Sequence, residues 1–271
     1  MADLGQAAVL EGRPVPIHSD ATGHKYIYAI IAAGFPDGLA VPGIGGYPLS
    51  IIAEGRVAAV VSDIGSARIR PERRNLGAHQ NVLKTLMDLS SVPLPMSFGI
   101  VGQSSADVRR MLARNQGAIL EQLQRVAGKA EMGLRVRWDV PNIFEFFVDT
   151  HAELRAMRDR IVGRGHMATH DEKIEMGSMF DRTLNRDRTL LTEKVQSVLS
   201  PVCAELKVNK CKDEYEVINL ACLVRRERLD DFSRAVFGAA RLFDDNYSFD
   251  FAGPWAPHNF VTLDLDLRDE P

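Results

Sequence analysis

Ala130-Glu131-Met132-Gly133-Leu134-Arg135-Val136-Arg137-Trp138 alternates apolar with polar or small side chains, the two-residue period of a strand with one buried face. The chain beyond Trp138 has a recognisable order. Residues 143–162 place Phe144, Phe147, Val148, Leu154 and Ile161 toward one side of a helix, and Gly163 and Gly165 then break the chain. Residues 172–199 read as a long inserted helix stopped near Pro201. Residues 205–209 and 215–224 form a hairpin, residues 229–243 a helix through Leu229, Phe232, Val236, Ala240 and Phe243, and residues 247–251 a last strand. With the inserted helix set aside the order is βαββαβ, a ferredoxin-like arrangement with both helices on one face of an antiparallel sheet.

Upstream of this unit the sequence describes a second one. Tyr26-Ile27-Tyr28-Ala29-Ile30-Ile31 is a buried strand, and residues 49–53 and 56–62 flank Glu54-Gly55 as a hairpin in which glycine supplies a positive φ. Leu76, Leu83, Leu86 and Met87 recur at helical spacing between Pro71 and Ser90. Residues 92–101 return to strand composition, with Pro93 and Pro95 marking an edge. Ser104 caps a helix whose stripe runs through Val108, Met111, Leu112, Ile119, Leu123 and Val126 to Gly128. The expected fold is therefore α+β with two domains: an N-terminal α+β domain over 24–128 and a ferredoxin-like domain over 129–254. Residues 1–23 read as a mobile leader and 255–271 as an extended arm.

That arm alternates Val261, Leu263, Leu265 and Leu267 with Thr262, Asp264, Asp266 and Arg268. A one-sided strand needs a surface, so it either docks across its own N-terminal domain or adds to a partner's sheet edge, and tethering favours the first. Gly253-Pro254-Trp255 is expected to fix the exit of the last strand by burying the indole against the sheet.

Composition narrows the function. Lys and Arg total 33 against 36 Asp and Glu, a net charge of −3, so no global field draws the protein to nucleic acid or to anionic lipid. The apolar run of residues 26–33 is far shorter than the roughly 18 residues that cross a bilayer. Residues 1–5 lack the cationic start of a signal peptide, so a cytoplasmic chain with no membrane partner is expected. Cys203, Cys211 and Cys222 match neither a zinc nor a CxxC spacing and read as idle thiols.

The catalytic and cofactor motifs are each incomplete. Gly43-Ile44-Gly45-Gly46 is followed by Pro48 and a strand where a phosphate-binding helix should start. Ala127-Gly128-Lys129 lacks the first glycine of a P-loop, and no GxSxG elbow occurs. His166 and His170 with Asp171 and Glu172 could bind a metal on a helix, but the preceding glycines argue for a solvated loop. His79 could be a general base; with no nucleophile or second acid nearby, it reads as a packed histidine hydrogen-bonded to backbone. Arg68, Arg70, Arg73 and Arg74 suit a solvated helix start or an acidic protein surface. The expectation is a protein without catalytic residues, metal or cofactor.

Several segments together resemble the gas vesicle accessory proteins of the GvpF/GvpL family. They are residues 26–30, Gly55-Arg56-Val57-Ala58-Ala59-Val60-Val61-Ser62, His79 with Val82 and Leu83, Leu94-Pro95-Met96-Ser97-Phe98-Gly99, residues 131–136, and Gly253-Pro254-Trp255-Ala256-Pro257-His258-Asn259-Phe260-Val261. Ser97, Ala256, His258 and Asn259 depart from the family pattern. The resemblance implies a non-enzymatic accessory component of the gas vesicle that contacts the hydrophobic shell subunit and other gas vesicle accessory proteins during assembly. His79, Phe98, Gly99, Glu131, Gly253, Pro254 and Trp255 are the structural or interaction candidates. The competing reading is a small-ligand enzyme or sensor with a site between two α+β domains, using His79 or Glu131.

Overall fold

Strand β1 (His24–Ala32) is fully buried from Tyr26 to Ile31, which requires cover on both faces. The computed structural model describes residues 23–35, 39–89, 92–163 and 168–263, and in them the chain is a mixed α/β protein with two sheets and six helices. Residues 1–22 of the expected leader, and the arm beyond Leu263, lie outside the described residues.

In the first sheet β1 pairs antiparallel with β3 (Val57–Ile64), which pairs with β2 (Leu49–Glu54) through the turn at Gly55, where φ is 57°. Helix α1 (Arg73–Asp88) buries His79, Val82, Leu83, Leu86 and Met87, one stripe at i, i+3, i+4, i+7 and i+8. Leu76, expected in that stripe, is 40% exposed. The strand expected over 92–101 is two short bridges to β1, namely β4 (Leu94–Pro95) and β5 (Val101–Gly102). Prolines 93 and 95 have no N–H to offer a ladder, and Gly99 turns the chain between the bridges at φ 94°. Helix α2 (Ser105–Val126) starts at Ser104, whose hydroxyl accepts from the Asp107 amide at 3.1 Å, and packs along β1, β2 and β3.

The second sheet comprises β6 (Lys129–Trp138), β7 (Glu205–Val208), β8 (Glu216–Arg225) and β9 (Tyr247–Trp255) in the order β7-β8-β6-β9, antiparallel throughout. Met132, Leu134, Val136 and Trp138 of β6 enter a core shared with α3 (Ile143–Thr150), α4 (Ala152–Val162), α5 (His170–Leu199) and α6 (Leu229–Ala240). The single helix expected over 143–162 is two. The Thr150 hydroxyl donates to the Phe146 carbonyl and the His151 ring bonds that of Phe147, while His151 itself is extended at φ −113°, ψ 115°. Such side-chain bonds compete with the helical backbone, and Phe144, expected on the buried side, is 39% exposed. Helix α5 begins two residues early, in a capping box between Thr169 and Glu172.

The last strand also runs further than expected, to Trp255, so Gly253-Pro254-Trp255 lies within β9 rather than after it. An edge strand can hold proline because its outward N–H has no partner to lose. Across the two halves, Arg125 on α2 forks onto Glu205 of β7, and the Arg226 guanidinium donates to the Met87 carbonyl at the end of α1.

Helix α6 offers a check of its register. Phe232 is fully buried whereas Phe237 is 61% exposed. Phe232→Ala should lower stability by about 3–5 kcal/mol and Phe237→Ala by less than about 1 kcal/mol in urea titrations.

Candidate functional site

The seven candidate residues gather in two clusters. In the first, the Tyr26 hydroxyl bonds His79 Nδ1 at 2.9 Å and accepts from the Gly99 amide at 3.2 Å, while the Phe98 ring stands edge-on to both Tyr26 and His79 at 5.9 Å. Tyr28 lies alongside, its hydroxyl bonded to Ser62 at 2.9 Å and accepting from the Ile44 amide at 2.7 Å. The Gly43–Gly46 stretch thus serves the Tyr28 hydroxyl rather than a phosphate.

Burial sets the protonation here. Taken out of water, His79 is held down at about 4, with His258 adding a like-charge push, and Tyr26 is pushed up to about 12. At neutral pH the imidazole is uncharged and the phenol protonated, so the pair holds a hydrogen bond and is not poised to exchange protons. That bond joins His79 to a side chain of β1, and a backbone hydrogen bond with Met96 opposes the fall in its pKa.

The second cluster lies across β6 and β9. Glu131 pairs with Trp255 in register, and its carboxylate accepts from the Asn259 amide at 2.7 Å and from Asn259 Nδ2 at 2.6 Å. Lys207 Nζ donates to the Asn259 carbonyl at 3.1 Å. Burial raises the Glu131 pKa, and the Asn259 bonds and Lys207 oppose that rise. Gly253 has φ 135°, and a Cβ there would meet the Glu131 carbonyl at 2.8 Å. The expected burial of Trp255 does not hold: it is 48% exposed, its ring lying over Gly133, because β9 carries it along a sheet edge.

Residues 256–260 join the clusters. Ala256 is buried in the first core, His258 acts electrostatically on His79, and Phe260 packs on Ala221 and Leu223 of the second sheet. Beside them a groove of about 910 Å³ runs between α1 and β9, lined by Leu83, Met87, Arg226, Leu229, Pro254 and Trp255 among others.

Residues 24–262 match the family model described as "Gas vesicle synthesis protein GvpL/GvpF". The chain belongs to this family. It is 26% identical to gas vesicle protein F of Dolichospermum flosaquae over 241 residues, covering 88% of this chain and 98% of the relative. Gas vesicle protein L of a Streptomyces strain is 27% identical over 262 residues, with 88% and 93% covered. The crystal structure of GvpF from Anabaena superposes with a TM-score of 0.76 at 22% identity, covering 89% of this chain and 99% of that one. That of GvpF from Microcystis aeruginosa gives 0.75 at 22% identity, with 90% and 100% covered.

In this GvpL/GvpF chain the other sequence candidates do not assemble. His170 opens α5, and His166 lies outside the described residues; among those described, no three His, Cys, Asp or Glu side chains are placed to share a metal ion. Arg74 pairs with Glu72, while Arg68, Arg70 and Arg73 are spread along the approach to α1. No described helix is long and apolar enough to cross a membrane. The sequence reading missed Asn259, Arg226 and Gly133 as contributors. Asn259 stands inside a family-like segment, whereas Arg226 reaches a carbonyl 139 residues away and leaves no local signal.

Two measurements test this geometry. Gly253→Ala should cost at least about 2 kcal/mol, through its positive φ and the Glu131 carbonyl. Trp255→Ala should cost about 1–2 kcal/mol, well below a buried aromatic, by denaturant midpoint.

The neutral His79 also links stability to pH. Between about pH 6.5 and 4 the unfolded chain protonates this imidazole and the folded one does not, so stability falls as pH drops, by up to about 3 kcal/mol. His79→Gln should lose that share of the acid slope, measured as unfolding free energy against pH in both proteins.

Proposed function

We propose that this protein is a gas vesicle accessory component that contacts the hydrophobic shell subunit during assembly, seating an apolar stretch of it in the groove beside Trp255. The supporting observation is an exposed indole at the rim of a groove whose floor includes Leu83, Met87, Leu229 and Pro254, within a family named for gas vesicle synthesis. A subunit that must present a dry surface to gas is aggregation-prone before it is built in, and a partner covering that surface keeps it available. Aromatic anchors in partly enclosed apolar sites commonly dominate such contacts. Other gas vesicle accessory proteins are the partners expected alongside the shell subunit, and the gas vesicle is the expected location. The small-ligand reading is not favoured, since the relatives matched over most of this chain are named as gas vesicle proteins.

The fold reading is extended in the same way. Residues 129–254 are read as a ferredoxin-like domain, supported by a sheet in which the second, third, first and fourth strands of the unit lie side by side, with α5 inserted before β7. Residues 24–128 are read as the N-terminal domain.

Capture of the shell subunit of the same host by the full chain tests the functional reading. Trp255→Ala should reduce capture at least about tenfold, while Leu190→Ala, exposed on α5 away from the groove, should leave it unchanged. Equal capture by both variants would remove the groove from the interaction.

A further inference from the structure

Spacing along the chain leaves Cys203, Cys211 and Cys222 as unrelated thiols, and the fold makes a pair of two of them. Helix α5 ends at Leu199, whose carbonyl accepts from the Cys203 amide at 3.1 Å, and the next amide, that of Ala204, donates to the Leu223 carbonyl at 2.7 Å. These two bonds hold Cys203 where the chain steps off the helix onto the flank of β8, beside the residue that follows Cys222. Cys222 is fully buried in the second core, and Cys203 packs half-buried against the same core. Their thiols interact directly. Cys211 is engaged elsewhere, its thiol donating to the Val217 carbonyl at 3.5 Å.

The two sulfurs are not equivalent. Solvent reaches Cys203 and does not reach Cys222. The Arg228 guanidinium is fixed at the same turn, donating to the Pro201 carbonyl at 3.0 Å and pairing with Asp231 at 2.9 Å. The bond with Cys222 lowers the Cys203 pKa, and the Arg228 charge adds to that fall against the effect of burial. For Cys222 the bond with Cys203 and burial both act upward. The thiolate is the reactive form of a cysteine, so the outer sulfur meets an oxidant first and the inner one follows.

We propose that Cys203 and Cys222 are a peroxide-reactive dithiol that closes reversibly to a disulfide between the entry of β7 and β8. The Cys203 thiolate attacks the terminal oxygen of a hydroperoxide; the S–O bond forms, the O–O bond breaks, and the remaining oxygen leaves as water or an alcohol after taking a proton from solvent. Cys203 is then a sulfenic acid. The Cys222 sulfur attacks it, the S–S bond forms, the S–O bond breaks, and the hydroxide leaves as water with the Cys222 proton. Two electrons pass from the pair to the peroxide, and a thiol reductant restores them by exchange. The bridge ties the edge strand β7 and the end of α5 to β8, an interior strand of the second sheet. It does not depend on the proposed shell contact.

Treating the reduced full chain with hydrogen peroxide, then alkylating it in denaturant, reads the pair by intact mass. The product should be a monomer that takes up one alkyl group instead of three, and dithiothreitol should restore all three. Trypsin cuts at Lys207, Lys210 and Lys212 and so separates the cysteines; the peptides found linked should be those of Cys203 and Cys222. Cys211→Ser should form the bridge at the wild-type rate, and Cys203→Ser should leave Cys222 reduced. In Cys222→Ala the reaction should stop at a Cys203 sulfenic acid that dimedone traps. Arg228→Gln, which leaves both thiols in place, should slow bridge formation about threefold. Three alkylatable thiols after peroxide would overturn the proposal, as would a linkage that includes Cys211 or joins two chains.

Discussion

The buried carboxylate of Glu131 organises the way this chain closes. Glu131 sits on the outer face of β6, where an ionised group out of water is costly, and its hydrogen bonds come from the amide and the side-chain nitrogen of Asn259, with the Lys207 charge in support. That bidentate hold fixes where the chain goes after β9. Once Asn259 is seated, Phe260 must fall on Ala221 and Leu223, and Ala256 must fall into the first core. Elements far apart in the chain become neighbours through one acid and one amide.

The rest of the interface is consistent with this view. Arg125 reaching Glu205 and Arg226 reaching the Met87 carbonyl each join an element of the first sheet's helices to the second sheet. Exposed ion pairs are individually weak, and a bidentate arginine pair is stronger chiefly when its geometry is held by something else. Here the return of residues 256–260 does the holding, and the arginines add register. The Tyr26–His79 bond plays a comparable part inside the first unit, fastening α1 to β1 through groups that burial keeps uncharged.

Much of this was legible in the sequence wherever a period could express it. The alternation of 130–138, the stripe of α2 and the Ser104 cap are local signals, and their elements appear within a residue or two of the expected bounds. Failures fall where a side chain overrode a period. Thr150 and His151 bond the preceding turn and split a helix that the apolar spacing ran through, and β9 continues past Phe251 because an edge strand tolerates the proline that looked like a stop. The candidate site was half visible: its residues lay in family-like segments, but pairings over more than a hundred residues, such as Glu131 with Asn259, have no local signature. Trp255 was placed wrongly for the same reason, since its burial depends on what lies beyond β9, and among the described residues no strand does.

The groove has a consequence for how binding and closure relate. One wall is α1, whose buried stripe joins the core of the first sheet, and the other is Gly253 to Ala256 at the end of β9 in the second sheet. Neither wall alone makes a concave site, so anything seated there binds the closed arrangement and not a separated one. By linkage, whatever strengthens closure strengthens binding in the groove by the same factor, and a bound partner stabilises closure in return. The Glu131–Asn259 hold therefore bears on recognition without touching the partner: loosening it lowers the population of the arrangement that has a groove, and the apparent affinity falls with that population.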